Sequence, residues 1–358
     1  MSELKAVVLC AGEGTRLRPL TFSRPKHLLP VAGKPLLGRA LDTIRKAGIE
    51  EVALVVGHQA EAVQRYVGDG TSWDIQVTYI VQAQPLGLAH AVNCARDFVA
   101  DGSFIVFLGD NLLEIGVESF VKDFADKRPA AALMLREVTN PQHFGVAVLA
   151  EDGSVQRLVE KPPQPPSNLA IVGVYAFTRS IFEAIDSIQP SARGEYEITD
   201  AIQWLIENGQ RVVATILSGF WEDAGEPVAL LRANRLYLDR IESQVDGDIG
   251  EACRLSGTFQ LGVGSRIRNT VITGPCFIGE NCVLQDALIG PHVSLGDGCQ
   301  VHNSRIEDAV IQAGCRIENL PGGLLRSVLG QQVVVIGDGH DNSPLHLILG
   351  DMAQIRLI

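Results

Sequence analysis

The sequence predicts an α/β fold followed by a solenoid, and three observations carry that reading. From residue 1 to about 240, short apolar runs alternate with helical patterns, the rhythm of a mostly parallel sheet covered on both faces. A glycine-bearing turn, Gly12-Glu13-Gly14-Thr15-Arg16, directly follows the first apolar run. From about residue 250, aliphatic residues recur every five or six positions, the period of a parallel β-helix.

The elements follow in order. Strands are expected over Lys5–Cys10, Glu51–Val56, 77–81, Phe104–Leu108 and 131–136, where β-branched and aliphatic residues cluster. Between the first two, Leu36, Leu37, Ala40, Leu41, Ile44 and Ala47 form a helical stripe closed by Gly48. Residues 87–100 and 117–124 read as further crossovers, and 226–241 as a last helix. The acidic, glycine-bearing stretch 242–250 reads as a domain boundary. Beyond it, Leu255, Leu261, Ile267, then Ile272, Ile278, Leu284, then Ile289, Leu295, Val301 repeat a 17-residue coil three times. Ile306 opens a fourth coil, in which Ile311 arrives one residue early. Cys253, Cys276, Cys282, Cys299 and Cys315 each stand two residues before an inward aliphatic, in the phase that Ser265, Ala287 and Ser304 share. They read as small buried corner residues rather than metal ligands. Within 331–358, residues 344–349 and 354–358 read as closing strands.

The composition narrows the function. At 358 residues, the chain is long enough for two cores. A formal net charge of −12 argues against broad nucleic-acid binding, which needs basic surface. Seven cysteines without a C-x-x-C pair argue against a disulfide framework. No apolar run spans a bilayer and no signal-peptide pattern opens the chain, so the expected location is cytoplasmic.

The glycine turn fails two familiar phosphate motifs. Leu17 stands where a dinucleotide fingerprint needs glycine, and Arg16-Leu17 does not fit a Walker A loop. What remains is a turn whose backbone can approach anionic oxygens, with a planar guanidinium from Arg16 and a second cation at Lys26. Gly12-x-Gly14-Thr15-Arg16-Leu17-x-Pro19-Leu20-Thr21, then Lys26, Pro30-Val31 and Lys34-Pro35, resembles the sugar-phosphate nucleotidylyltransferases along nearly the whole chain. Within them it resembles the long-form glucose-1-phosphate thymidylyltransferases.

The resemblance implies a Rossmann-like nucleotidyltransferase domain at 1–241 and a left-handed β-helix of hexapeptide-type repeats, with closing strands, at 251–358. It implies catalytic Arg16, Lys26, Asp110, Lys161 and Asp223, with Asp110 and Asp223 as Mg²⁺ ligands. Gly12, Gly14, Thr15, Gln82 and Gly87 would bind the nucleotide, and Gly145, Glu160, Lys161, Gly173 and Glu195 the sugar phosphate. Phe144 departs from the family, some of whose members carry Tyr there.

The implied reaction joins a sugar 1-phosphate, glucose 1-phosphate by analogy, to a nucleoside triphosphate such as dTTP, giving an NDP-sugar and pyrophosphate. The attacking phosphate oxygen is already anionic, so no general base is needed. Gln82 has both a donor and an acceptor and suits thymine or uracil alike. A homo-oligomer is expected. Two alternatives remain: a bifunctional uridylyltransferase/acyltransferase using the β-helix, and a non-catalytic regulatory subunit. His292 and His302 fall within the coils without a recognisable partner motif.

Overall fold

A computed structural model describes residues 4–357. Met1–Glu3 and Ile358, at the outer ends of the two expected domains, lie outside the described residues, as does the last position of the expected strand 354–358. The chain forms two compact units: one comprises the residues up to Glu13 together with Leu37–Trp221, the other Gly14–Leu36 together with Glu222–Ile358. No helix among the described residues is long and apolar enough to cross a membrane.

The first unit is built on a nine-stranded sheet. Its strands are β1 (Lys5–Cys10), β2 (Glu51–Val56), β3 (Gln76–Val81), β4 (Phe104–Leu108), β5 (Ala131–Glu137), β6 (Gly145–Leu149), β7 (Val155–Glu160), β8 (Leu169–Phe177) and β9 (Val212–Ile216). They run in the order β7-β6-β8-β4-β1-β2-β3, with β5 against β8 and β9 against β5. β3, β2, β1 and β4 are parallel, as the apolar runs predict. From β8 onward the sheet continues largely antiparallel: β8 opposes β4, β5 and β6, and β7 opposes β6. β1, β2 and β4 are almost entirely buried, so they read as continuous aliphatic runs, whereas edge strand β3 is half-exposed.

Helix α1 (Leu36–Lys46) buries Leu36, Leu37, Ala40, Leu41 and Ile44, the stripe read from the sequence. Gly48 follows it with φ +79°. The crossover expected over 87–100 is two helices, α2 (Leu88–Cys94) and α3 (Arg96–Val99), parted at Ala95.

The second unit is dominated by the parallel β-helix. Gln260 pairs with Phe277 and Phe277 with Ser294, steps of 17 residues. The next steps on that face, Ser294 to Val310, Val310 to Val328 and Val328 to Ile348, are 16, 18 and 20 residues. The first of these is the early Ile311 seen in the sequence; the longer ones hide later rungs from a fixed period. The solenoid has seven rungs on this face rather than about four. Its pairing begins inside the acidic stretch, where Gln244–Val245 and Asp248–Ile249 stack on the following coil.

Leu261, Ile267, Ile272, Ile278, Leu284, Ile289 and Leu295 are at most 2% exposed. Leu255 is the exception, because its strand, Arg254–Ser256, is the edge of its face and has a neighbour on one side only. Cys276, Cys282, Cys299 and Cys315 are buried with Ser265, Ala287 and Ser304, while Cys253 is partly exposed. Burial pushes the Cys276 thiol up to about 12, so it behaves as an inert hydrophobe.

A helix, α4 (Pro227–Leu238), belongs to the same unit as the solenoid. Its Asn234 is fully buried; its Oδ1 accepts from Ala32 N–H (2.9 Å) and the Ser294 hydroxyl (2.6 Å), and its Nδ2 donates to His292 carbonyl oxygen (3.2 Å). One amide therefore ties the 30–35 hairpin, the helix and a solenoid rung together. A buried donor left unmet costs about 1–3 kcal/mol, so Asn234→Leu is expected to destabilise the chain by roughly 2–5 kcal/mol, measured by urea unfolding. A loss below about 0.5 kcal/mol, the range of an ordinary surface change, would contradict this role.

Candidate active site

The parallel register of β1 with β4 pairs Leu9 with Leu108, so both strands end at one sheet edge. Gly12 follows β1 there, and Asp110 follows β4. Gly109 N–H donates to Leu9 carbonyl oxygen (3.1 Å), bracing the turn that carries Asp110. The Asp110 carboxyl is only 6% exposed and has the Asn111 amide 3.4 Å away. The Asn111 carbonyl oxygen accepts from the Trp221 indole N–H (2.5 Å), and the Trp221 ring packs on Phe144 with centroids 5.0 Å apart. Gly173 lies where the β8–β5 register shifts, with φ +79°. A Cβ there would sit 2.7 Å from Leu108 Cδ1 and 2.9 Å from Asn111 Nδ2, so only glycine lets the strand pass the Asp110 turn.

At the end of β7, Glu160 pairs with Gly145 of β6. A Cβ on Gly145 would meet the Glu160 carboxyl at 3.0 Å and Thr199 at 2.9 Å. The Thr199 hydroxyl donates to Glu160 Oε2 (3.2 Å), while Lys161 Nζ and Arg193 Nη2 stand 3.7 and 3.5 Å from Oε1. Burial raises the Glu160 pKa above the ordinary 4.5, although Lys161 and Arg193 pull the other way. Lys161 itself takes φ +40°, unusual for a side chain other than glycine, with its N–H on Phe144 carbonyl oxygen.

Arg193 is the hub of this corner. It also reaches Glu195 (3.4 Å) and the buried Glu197 (2.8 Å). Sequence reasoning missed Arg193, Glu197, Thr199 and Asn111 as site residues. Their signal was the single cation in Arg193-Gly194-Glu195-Tyr196-Glu197 and an amide beside Asp110.

The loop after β3 joins the same unit. Gln82 is buried; its Nε2 lies 2.8 Å from His90 Nδ1 and 3.4 Å from Gly87 carbonyl oxygen. Gly87 has φ +108°, and a Cβ there would come 2.5 Å from Tyr196 carbonyl oxygen. Its glycine is thus demanded by the 195–196 backbone. Tyr196 N–H donates to Leu86, and Ala89 N–H donates to Tyr196.

The second unit holds Gly14, Thr15, Arg16, Lys26 and Asp223. Gly14 is left-handed (φ +65°) and opens the short turn Thr15–Leu17, with its carbonyl oxygen accepting from the Thr21 hydroxyl (2.7 Å). A Cβ on Gly14 would meet Thr21 at 3.0 Å and Lys26 Cβ at 3.1 Å, so the glycine brings Lys26 in against the turn. Arg16 is largely exposed and faces Asp223 (3.9 Å) and Glu226 (3.3 Å). Gly225 leaves room for it, since a Cβ there would lie 2.7 Å from Arg16 Nη2. His292 and His302 do have partners: His292 Nε2 is 2.9 Å from Asp239, and His302 Nε2 is 3.5 Å from Asp286.

No three His, Cys, Asp or Glu groups among the described residues are gathered for a metal. Asp110 and Asp223 are hard oxygen donors, and Mg²⁺ takes one or two carboxylates with phosphate oxygens and water. The donor chemistry therefore fits that ion.

The family model described as nucleotidyl transferase matches residues 5–240. The chain belongs to the nucleotidyl transferase family. This nucleotidyl transferase is 42% identical over 354 residues, 99% of each chain, to the glucose-1-phosphate thymidylyltransferase of Streptomyces griseus. It is 39% identical, over 99% of its own length and all of the relative's, to the low-salt glycan biosynthesis nucleotidyltransferase Agl11 of Haloferax volcanii. It is 35% identical to the bifunctional protein GlmU of Methanococcus maripaludis, covering 87% of its own chain and 78% of that one. A solved Bacillus anthracis structure, described as a glucose-1-phosphate thymidylyltransferase in complex with sucrose, matches 67% of this chain and 98% of that one, with 33% identity and a TM-score of 0.63. The resemblance read from the sequence is borne out, and the chain is an enzyme of the nucleotidyltransferase type.

The Glu160 corner sets a pH dependence. A carboxyl whose folded pKa is raised keeps its proton in the folded state after the unfolded chain has lost it, so stability falls as pH rises from about 4.5 through the raised value. Glu160→Gln removes that slope. The wild-type chain should lose stability relative to the variant across that window and level off above it, in urea melts from pH 4 to 8. A difference that is flat with pH would refute the assignment.

Proposed function

We propose that this chain joins a sugar 1-phosphate to a nucleoside triphosphate, releasing pyrophosphate and an NDP-sugar, with glucose 1-phosphate and dTTP as the substrates. The observation that carries the reading is the Glu160–Lys161 corner, where a cation adjoins a buried carboxylate held by Thr199 and Arg193. A sugar phosphate needs both: a charge for its phosphate and an acceptor for its hydroxyls. Full-length identity to glucose-1-phosphate thymidylyltransferases supports the choice of sugar and base.

In this reading Lys161 holds the sugar phosphate and Glu160 accepts from sugar hydroxyls. Gly145 and Gly173 keep side chains out of the sugar's path, and Arg193 orients Glu160 while Glu195 flanks it. Arg16 and Lys26 hold the triphosphate beside the Gly12-Glu13-Gly14-Thr15 turn, and Gln82 reads the base over the loop that Gly87 shapes. Asp110 and Asp223 would hold Mg²⁺, which when bound neutralises phosphate charge.

A sugar-phosphate oxygen attacks the α-phosphorus, the bond to the β-phosphate bridging oxygen breaks, and pyrophosphate leaves with that electron pair. Two unit charges 4 Å apart repel by about 4 kcal/mol at an effective dielectric near 20. The cations offset that repulsion and stabilise the charge that builds on the departing group. The enzyme is proposed to work as a homo-oligomer.

The His292–Asp239 and His302–Asp286 pairs favour one additional reading, acyl transfer on the solenoid, because a carboxylate-oriented imidazole can serve as a base. Thiol release from acetyl-CoA with an amino-sugar phosphate would support it, and none would remove it.

A pyrophosphate-release panel crossing five triphosphates with several sugar 1-phosphates tests the main reading; turnover should peak with dTTP and glucose 1-phosphate. Lys161→Ala should raise the KM for sugar phosphate at least about tenfold, the loss of a charged hydrogen bond, and leave triphosphate binding nearly unchanged. Equal loss of both would reassign Lys161. Asp110→Asn should lower kcat by about a hundredfold or more; near-normal turnover would refute its metal role.

A further inference from the structure

The second unit contains a cleft that none of these roles uses. It measures about 210 Å³ and is lined by residues of the Gly14–Leu36 segment and of the solenoid, among them Arg24, Pro30, Phe277, Asp297, Gln312 and Gln331. Two buried donors in its wall have no partner: Arg24 Nε and Gln312 Nε2. Gln312 is only 2% exposed. Its orientation is fixed, because its Oε1 accepts from Arg24 Nη1 (2.9 Å), which turns the amide nitrogen to the unmet side. Buried polar groups are nearly always satisfied, so two orphans lining one cleft point to an occupant that accepts hydrogen bonds.

The charges restrict that occupant. Arg24 is already balanced by Asp351 at 2.7 Å, which also takes the Ser23 hydroxyl. Asp297 lines the same cleft, with its Oδ1 on Glu280 N–H. A phosphate placed here would meet two carboxylates and one neutralised cation, so the occupant is uncharged. Pro30 and Phe277 make the walls flat. The Phe277 ring is pressed against Gly33, where a Cβ would fall 2.3 Å from it. An uncharged ring with a carbonyl for Arg24 and Gln312 and an N–H for Asp297 has the O=C–N–H edge of a pyrimidine. The volume suits such a base with a sugar attached.

We propose that this cleft is a second binding site, for an uncharged pyrimidine nucleoside. It is also regulatory: Arg24 and Pro30 belong to the same short segment as Arg16 and Lys26, so an occupant braces the segment assigned to the triphosphate. The site does not depend on which base the catalytic reaction uses.

The test is calorimetric titration of the full-length chain with thymidine and with uridine, which carry no phosphate. Saturable binding is expected to persist in Gln82→Ala, where catalytic base contacts are removed. It should weaken roughly three- to tenfold, the worth of one neutral hydrogen bond, in Gln312→Met. Phe277→Ala, which removes the flat wall without touching a buried polar group, is a second probe and should weaken binding as well; thermal melts confirm that both variants fold. Saturation should shift the KM for the triphosphate at least about twofold, and an unchanged KM would overturn the regulatory role. No saturable binding at millimolar nucleoside, or binding lost in Gln82→Ala and untouched by both cleft variants, would overturn the site.

Discussion

Parallel hydrogen bonding of β1 between β2 and β4 is the constraint on which the first unit depends. It fixes the direction of the buried strands, and so decides which edge of the sheet receives the loops after them. Gly12, Asp110 and Gln82 all follow carboxyl ends of these strands. Ligands of open α/β sheets bind beyond such ends. The antiparallel ribbon from β8 onward brings Gly145, Glu160 and Lys161 into the same unit by a different route, through the β6–β7 pairing.

The chemistry is organised around carboxylates that would be expensive to bury alone. Glu160 is held among Thr199, Lys161 and Arg193, and Glu197 is held by Arg193 and Ser191. Each acidic group is compensated by a cation or a hydroxyl, which keeps the charges ionised in a poorly solvated corner. Arg16 is the contrasting case. It stays exposed, with Asp223 and Glu226 as screened partners. Exposed ion pairs are weak, so Arg16 can exchange them for a phosphate at little cost.

The solenoid does more than end the chain. Arg24 is bound by Gln312 and Asp351, and Asn234 joins Ala32 to Ser294 and His292. The segment that follows the glycine turn is therefore folded against β-helix rungs in the same compact unit. A change in those rungs has a mechanical path to Arg16 and Lys26 through fewer than ten residues of continuous chain on either side of Arg24.

The sequence by itself determined the elements whose signal is local. These are the apolar runs of β1, β2 and β4, the α1 stripe, the Gly12–Arg16 turn, and the 17-residue coils with their small buried corners. Each depends on neighbours within one strand, one helix face or one turn. Coils of 16, 18 and 20 residues escaped a fixed period because turns can lengthen while the inward phase is kept; Leu255 kept the phase yet faces solvent because no rung covers it. Only the tertiary structure decided that Arg193 serves Glu160, that Gly87 yields to Tyr196, that His292 and His302 have aspartate partners, and that residues 14–36 group with the solenoid. Those facts rest on contacts between positions tens to hundreds of residues apart. Hydrogen bonding and packing select such pairs in three dimensions, and the local spacing of residues carries no record of them.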